Sequence, residues 1–177
     1  MTQPDSPGAT QAAIPPGTYR LDPARSTVRA DVKAMFGLLT VHGTFQLRSG
    51  EITVAADPTA SSVRASVDAG SYASGNAKRD SDVTSAALLD AEAHPEITFE
   101  GTEVRQDGPD WVVSGSVTAH GTSAPAQFRV HEAAMQDGAA RFRVTARLDR
   151  TSFGVTKKKG MVGAAAEVAI DAVGVPA

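Results

Sequence analysis

The sequence predicts an all-β protein: a single antiparallel β-barrel of about eight strands with a short helix or lid segment beside it. Three observations lead there. Apolar and polar residues alternate with the period of two that belongs to a strand with one buried face. The alternating runs are short and separated by Gly, Asp, Pro and Ser, and the apolar positions carry mostly small side chains.

Residues 1–17 are rich in Pro, Gln, Thr and Ala without periodicity, the composition of a flexible tail, which leaves 18–177 as the barrel domain. The opening has neither the basic start nor the apolar run of an export signal, so the expectation is a cytoplasmic protein, or an exported one whose signal has been removed. Alternation begins at Tyr19. Residues 26–34 place Val28, Ala30, Val32 and Ala34 on one side, and residues 39–47 repeat the pattern with Leu39, Val41, Gly43, Phe45 and Leu47. The Met35 to Leu38 segment between them contains Gly37 and reads as a hairpin turn. Further runs cover 51–55, 62–69, 96–104, 111–119, 125–130, 140–148 and 166–173, separated by turn chemistry such as Arg48-Ser49-Gly50, Asp57-Pro58, Asp107-Gly108-Pro109 and Gln136-Asp137-Gly138. One interval differs. Between Tyr72 and Pro95 the alternation stops, and residues 81–91 place Val83, Ala86, Ala87 and Leu88 at helical spacing, with Ser81 or Asp82 as the cap. The alternative is a surface crossover whose apolar side plugs one end of the barrel.

Composition removes several function classes. A chain of 177 residues holds one domain with a sufficient core, and without cysteine it has no disulfide framework, thiolate metal site or thiol chemistry. A net charge of -3 leaves no electrostatic footprint for nucleic acid. No stretch approaches the roughly 20 apolar residues of a spanning helix.

The inward parity carries the functional argument. It includes Ala30, Ala34, Gly43, Ala65, Ala69, Gly115, Ala119, Ala126, Ala140, Ala146, Ala166 and Ala172, and only 5% of the chain is aromatic. A barrel of about eight strands has an interior that side chains either fill or leave open for one ligand. Filling it to the ~0.75 density of protein interiors needs bulkier residues than these, so a cavity is expected. Its candidate lining is Val28, Val32, Phe45, Val67, Phe99 and Val117, then Phe128, Phe142, Val144 and Phe153, with Leu88 and Leu89 at the mouth.

A family resemblance rests on six elements in order. Residues 17–32, GTYRLDPARSTVRADV, resemble the aromatic-x-hydrophobic-Asp-Pro-x-x-Ser opening of the YceI-like family. Gly43-Thr44-Phe45 is similar to its Gly-x-Phe, Ser74 to Asp80 to its Thr-Gly-x-x-x-Arg-Asp, and His94 to Phe99 to its Tyr-Pro-x-Ile-x-Phe. Gly115 to Thr122 and Arg150 to Gly154 are similar to its Gly-x-Leu-Thr-x-x-Gly-x-Thr and Arg-x-x-Phe-Gly elements. Two departures stand out: Asp82-Val83 replaces a His-Leu pair, and Leu88-Leu89 a double Phe before Asp90. The resemblance implies a lipocalin-like barrel whose apolar interior takes up a polyisoprenoid, an isoprenoid quinone or a fatty acid derivative without catalysis.

Polar residues fit that expectation as accessories. Lys78, Arg79, Asp80 and Lys157, the last in the run Lys157-Lys158-Lys159, sit in loops that would ring a mouth and meet a head group or an anionic membrane surface. Arg79 with Asp80, and Asp149 with Arg150, read as ion pairs that fix loops. His42 and His120, both in His-Gly-Thr, read as solvent-facing residues at hairpin ends, and neither a metal nor another cofactor is expected. No Gly-x-Ser-x-Gly, His-Glu-x-x-His or phosphate loop is present. An enzyme acting on a lipophilic substrate through Arg79, Asp80 or a histidine, and a ligand-free interaction module, are the alternatives. A homodimer is a further partner expectation.

Overall fold

A computed structural model describes residues 14–157 and 162–177. Nine strands form one antiparallel sheet: Gly17–Leu21 (β1), Thr27–Ala34 (β2), Leu39–Val54 (β3), Ser62–Ala73 (β4), Glu96–Asp107 (β5), Asp110–Ala119 (β6), Thr122–Gln136 (β7), Ala139–Asp149 (β8) and Val162–Pro176 (β9). The order is β1-β3-β2-β9-β8-β7-β6-β5-β4, and pairing of β3 with β4 closes it into a barrel. β1 and β2 share one stave. β1 pairs with residues 51–54 of β3 and 174–176 of β9, and β2 with the other halves of the same two strands. Nine strands therefore make an eight-stave barrel. The break between them is tied by Asp22, whose carboxylate accepts from Ala24 N at 2.9 Å and from Arg25 Nε at 2.9 Å.

Two expected boundaries move. The expected turn at Arg48-Ser49-Gly50 is instead a β-bulge inside the continuous 16-residue β3, with Leu47 opposite Val67 and Ser49 opposite Ser66. The helix expected over 81–91 is Ala77–Thr84 (α1), capped by Asn76, whose side chain accepts from Arg79 N at 3.0 Å. Ser81 and Asp82 lie within it. The apolar residues beyond reach the core through successive turns, with Leu88 N bonded to Ser85 O and Leu89 N to Val83 O. Helix and plug are both present, one after the other.

The tail expectation changes at its end. Ile14 is buried against Tyr19, Ala133 and Ala140, and the Tyr19 hydroxyl donates to Pro15 O at 2.6 Å. An aliphatic side chain with a ready apolar slot orders the backbone that carries it, although nothing in the surrounding composition announces it.

The barrel ends differ in construction. At one end lie the β2–β3 turn, α1 with the segment to Pro95, the β6–β7 turn and the β8–β9 connection. Leu88, Phe153, Val155, Val117, Ala119, Ala126, Phe128 and Ala146 pack there into a core. Arg150 organises the connection. Its guanidinium donates to four carbonyls, Val155 O at 2.8 Å, Lys157 O and Val162 O at 2.9 Å and Gly163 O at 3.0 Å. The expected Asp149–Arg150 ion pair is thus replaced: Asp149 instead accepts from Thr151 N at 2.9 Å and Thr151 Oγ1 at 2.6 Å, which holds its carboxyl below the usual range. Likewise Asp80 accepts from Ser74 N at 2.9 Å and Ser74 Oγ at 2.6 Å rather than from Arg79.

The β2–β3 turn at this end is unusual. Gly37 N bonds to Ala34 O, while Met35 and Phe36 take left-handed φ of 50° and 57°. Asn and Gly commonly occupy such a turn. Here Phe36 is 78% exposed and Leu38 82%. At the opposite end stand residues 14–16, the one-turn 3-10 helix Pro58–Ala60 and the β5–β6 and β7–β8 turns.

Candidate ligand cavity

Bulges decide which side chains face inward. A one-residue insertion flips every later side chain to the other face, and β3, β5 and β7 each carry one, after Leu47, Gly101 and Val130. Phe45 and Leu47 face inward before the first, Ile52 and Val54 after it; Phe99 is followed by Val104, and Val130 by Ala133. The β5 bulge also brings backbone against backbone. A Cβ at Gly115 would collide with Glu100 O, so only glycine fits there.

The inward side chains enclose a cavity of about 620 Å³, within the ~300–1,000 Å³ range of small-molecule sites. Its wall is Val, Ile, Leu, Phe and Ala, with Phe99 and Phe128 packed ring to ring at 4.3 Å. The polar side chains on it are Ser26, Ser61, Ser62, Thr98 and the indole of Trp111. Two of those hydroxyls are already used, Ser26 Oγ accepting from Val173 N and Ser61 Oγ from Ala55 N, both at 3.0 Å. Among the described lining residues none is titratable. The cavity reaches water where its wall includes the exposed residues Pro16, Ala56 and Pro58. At the other end it stops against the Leu88 and Phe153 core.

Eight of the twelve lining residues expected from alternation line this cavity: Val28, Phe45, Val67, Phe99, Val117, Phe128, Phe142 and Val144. Leu88 and Phe153 are instead buried in the plug, Leu89 is half-buried beside it, and Val32 lies past it near the exposed turn. The mouth is therefore at the opposite end from Leu88 and Leu89. Lys78, Arg79, Asp80 and Lys157 are at the plugged end too and ring no mouth. Lys78 and Arg79 border a separate pocket of about 270 Å³ with Asn76, Asp82 and Leu88. Lys158 and Lys159 lie outside the described residues.

Sequence reasoning missed Val113, Val168 and Ile170, which share parity with residues already chosen, and Val104 and Ala133, which bulges conceal. It also missed Ile14 and residues 56–61 at the mouth, where no periodicity exists. Of the small inward residues, only Ala65 and Ala172 face the cavity. Ala119, Ala126 and Ala146 pack within the plug core, and Gly43 makes room for the Tyr72 ring. That ring sits 5.3 Å from Phe45, and burial, reinforced by the charge of Asp80, pushes its phenol up.

The model of the YceI-like domain matches residues 19–174. The chain belongs to the YceI-like family. Curated relatives include a UPF0312 protein of Pectobacterium carotovorum subsp. carotovorum, 32% identical over 90 residues, 50% of this chain and 47% of the relative. Protein YceI of Escherichia coli O157:H7 is 30% identical over 90 residues, again 50% and 47%. The chain spans about half the length of the curated relatives it matches. Among solved structures, BcnA of Burkholderia cenocepacia superposes with a TM-score of 0.77 at 21% identity, covering 86% of this chain and 98% of that one. A polyisoprenoid binding domain from Saccharophagus degradans, implicated in plant cell wall breakdown, superposes with a TM-score of 0.68 at 15% identity over 90% of this chain and 98% of that one. These likenesses establish the YceI-like barrel as the fold. No helix of the described residues is long and apolar enough to cross a membrane.

Proposed function

We propose that this YceI-like barrel binds and carries one long apolar molecule, a polyisoprenoid, isoprenoid quinone or fatty acid derivative, and does no chemistry on it. The observation that carries the reading is the blind apolar cavity, open at one end and lined, among the described residues, without a titratable group. General acid, base and nucleophilic catalysis need such groups within reach of the substrate. Burial of each methylene contributes about 0.8 kcal/mol, so a few isoprene units support micromolar binding after association costs. The tail runs toward Phe99 and Phe128, and a head group stays at the mouth near Ser62. The polyisoprenoid binding domain with the same fold supports this class of ligand. Trp111, the single tryptophan, is on the cavity wall and reports its filling. Titration of delipidated protein with a short-chain ubiquinone is expected to quench Trp111 fluorescence saturably at one equivalent, and native mass spectrometry to find an apolar molecule bound after purification. No bound molecule together with unsaturable quenching would overturn the carrier reading.

A second reading concerns the partner surface. We infer that the β2–β3 tip rests on an anionic bilayer. Phe36 and Leu38 project into water at the tip, and Lys33 precedes it. Arg150 ties Lys157 O to the start of β9, where Gly163 lies against Lys33. Apolar side chains rimmed by lysines match the interfacial region of an anionic membrane. Docked this way, the protein points its mouth away from the bilayer. In sedimentation with phosphatidylserine vesicles, Phe36→Ser with Leu38→Ser, and separately neutralisation of Lys157, Lys158 and Lys159, are expected to weaken binding while ubiquinone titration is unchanged. Equal sedimentation of wild type and variants would refute the contact.

A further inference from the structure

Asp90, His94 and His120 offer ligand atoms that all lie within 4.8 Å of one another at the plugged end of the barrel. We propose that these three residues form a site for a borderline divalent transition-metal ion of the zinc class, which clasps the plug segment to the β6–β7 turn. The inference is independent of what the cavity carries.

The three come from two separate pieces of chain. Asp90 and His94 lie on the segment that delivers Leu88 to the core, and His94 N bonds to Asp90 O at 2.8 Å. His120 occupies the β6–β7 turn, and its ring meets that of His94 edge to face at 5.3 Å. The fold makes room for this approach. A Cβ at Gly121 would stand 2.8 Å from His94 Cε1, so the imidazole occupies space that only a glycine leaves free. His42 and His131 are satisfied elsewhere, by Asp31 at 2.8 Å and Thr145 at 2.6 Å. Among the described residues no side chain hydrogen-bonds either ring of the pair or the Asp90 carboxylate. Three half-buried polar groups thus converge without another protein partner.

Two imidazoles and one carboxylate suit zinc, cobalt or nickel, whereas calcium and magnesium favour all-oxygen sets. Ligands bonded at ~2.0–2.1 Å to a tetrahedral ion stand about 3.3 Å apart, so modest ring rotations close the site, with water as the fourth ligand. The bound ion joins two elements that meet where the His94 ring packs against His120 and Gly121. It binds the folded chain and not the open one, and therefore stabilises the closed end.

The test uses the full chain freed of metal with a chelator and titrated calorimetrically with zinc chloride. Wild type and His42→Asn are expected to bind one equivalent, and His94→Gln and His120→Asn to lose at least tenfold in affinity. Asn tolerates the left-handed backbone of His120, φ 53°, so that variant keeps the turn. Cobalt chloride provides a second readout, the intense visible bands of a tetrahedral ion in wild type and their absence in His94→Gln. Equal zinc affinity in wild type and both variants, or no saturable binding by wild type, would overturn the site.

Discussion

At one end of the barrel the cavity wall runs out to Pro16, Ala56 and Pro58 in water; at the other, Leu88 and Phe153 stand between the same cavity and solvent. The strands that form both ends obey the same alternation. The difference lies in what connects them. The open end is joined by tight turns and a one-turn helix, whereas the plugged end receives residues 74–95, which send Leu88 inward, and residues 150–157, which send Phe153 and Val155 inward. Strands make the tube, and connections decide where it ends.

The sharpest way to break that contrast is to fill the tube. Val144 faces the cavity on β8, so Val144→Trp is expected to place the indole in free space, abolish ubiquinone binding and leave the melting temperature of ligand-free protein near wild type. In a packed interior the same change costs ~1–3 kcal/mol. Thr145 makes a poor control because its hydroxyl bonds His131; Arg147, exposed on the same strand, is the better one, and Arg147→Trp should alter neither quantity.

Opening the plug comes next. Leu88→Ala removes a buried side chain and is expected to cost about 2–4 kcal/mol by denaturant titration, while ubiquinone exchange quickens because the tube gains a second opening. Destabilisation with unchanged exchange would confine Leu88 to a packing role. At the mouth, deletion of residues 1–16 removes Ile14 and the Pro15 carbonyl, with an expected loss of about 2 kcal/mol. A thermal melt of the truncated chain beside wild type reads that loss.

The smallest effect is in pH. The lowered carboxyls of Asp149 at the plugged end, held chiefly by the Thr151 hydroxyl, and Asp107 at the open end, held chiefly by Arg129, have folded-state values below the ordinary 3.8. Their stabilisation is complete above the unfolded-state value and disappears as pH falls through the lowered one. Thermal melts should therefore be flat from neutral to about pH 5 and decline below pH 4, with a shallower decline in Asp149→Asn. An identical acid limb in that variant would remove Asp149 from the account.

Most of the barrel was legible because alternation is a local signal. Each strand from β2 to β9 contains at least one run visible in the sequence, and eight inward residues follow from those runs. What failed was non-local. A bulge such as that at Arg48 appears only when the partner strand is known, and it resembles a turn when read alone. Leu88 and Leu89 were recognised as apolar residues of a lid, but which end of the tube their segment covers depends on strand order. The small inward residues led to the cavity expectation partly for another reason, since Ala119, Ala126 and Ala146 accommodate neighbours in the plug and Gly43 makes room for Tyr72. His94 and His120 are 26 positions apart in the sequence, and only the path of the plug segment brings them together.

The closure of the sheet has a consequence for a barrel whose interior is an apolar cavity. With β3 bonded to β4 and β1 and β2 both bonded to β9, the ring of staves is complete. An open sheet of this apolar content would present a terminal ladder on which a second chain could polymerise. Here the backbone donors and acceptors of the staves are spent on one another, so the barrel encloses its apolar cavity without offering a strand edge that templates aggregation.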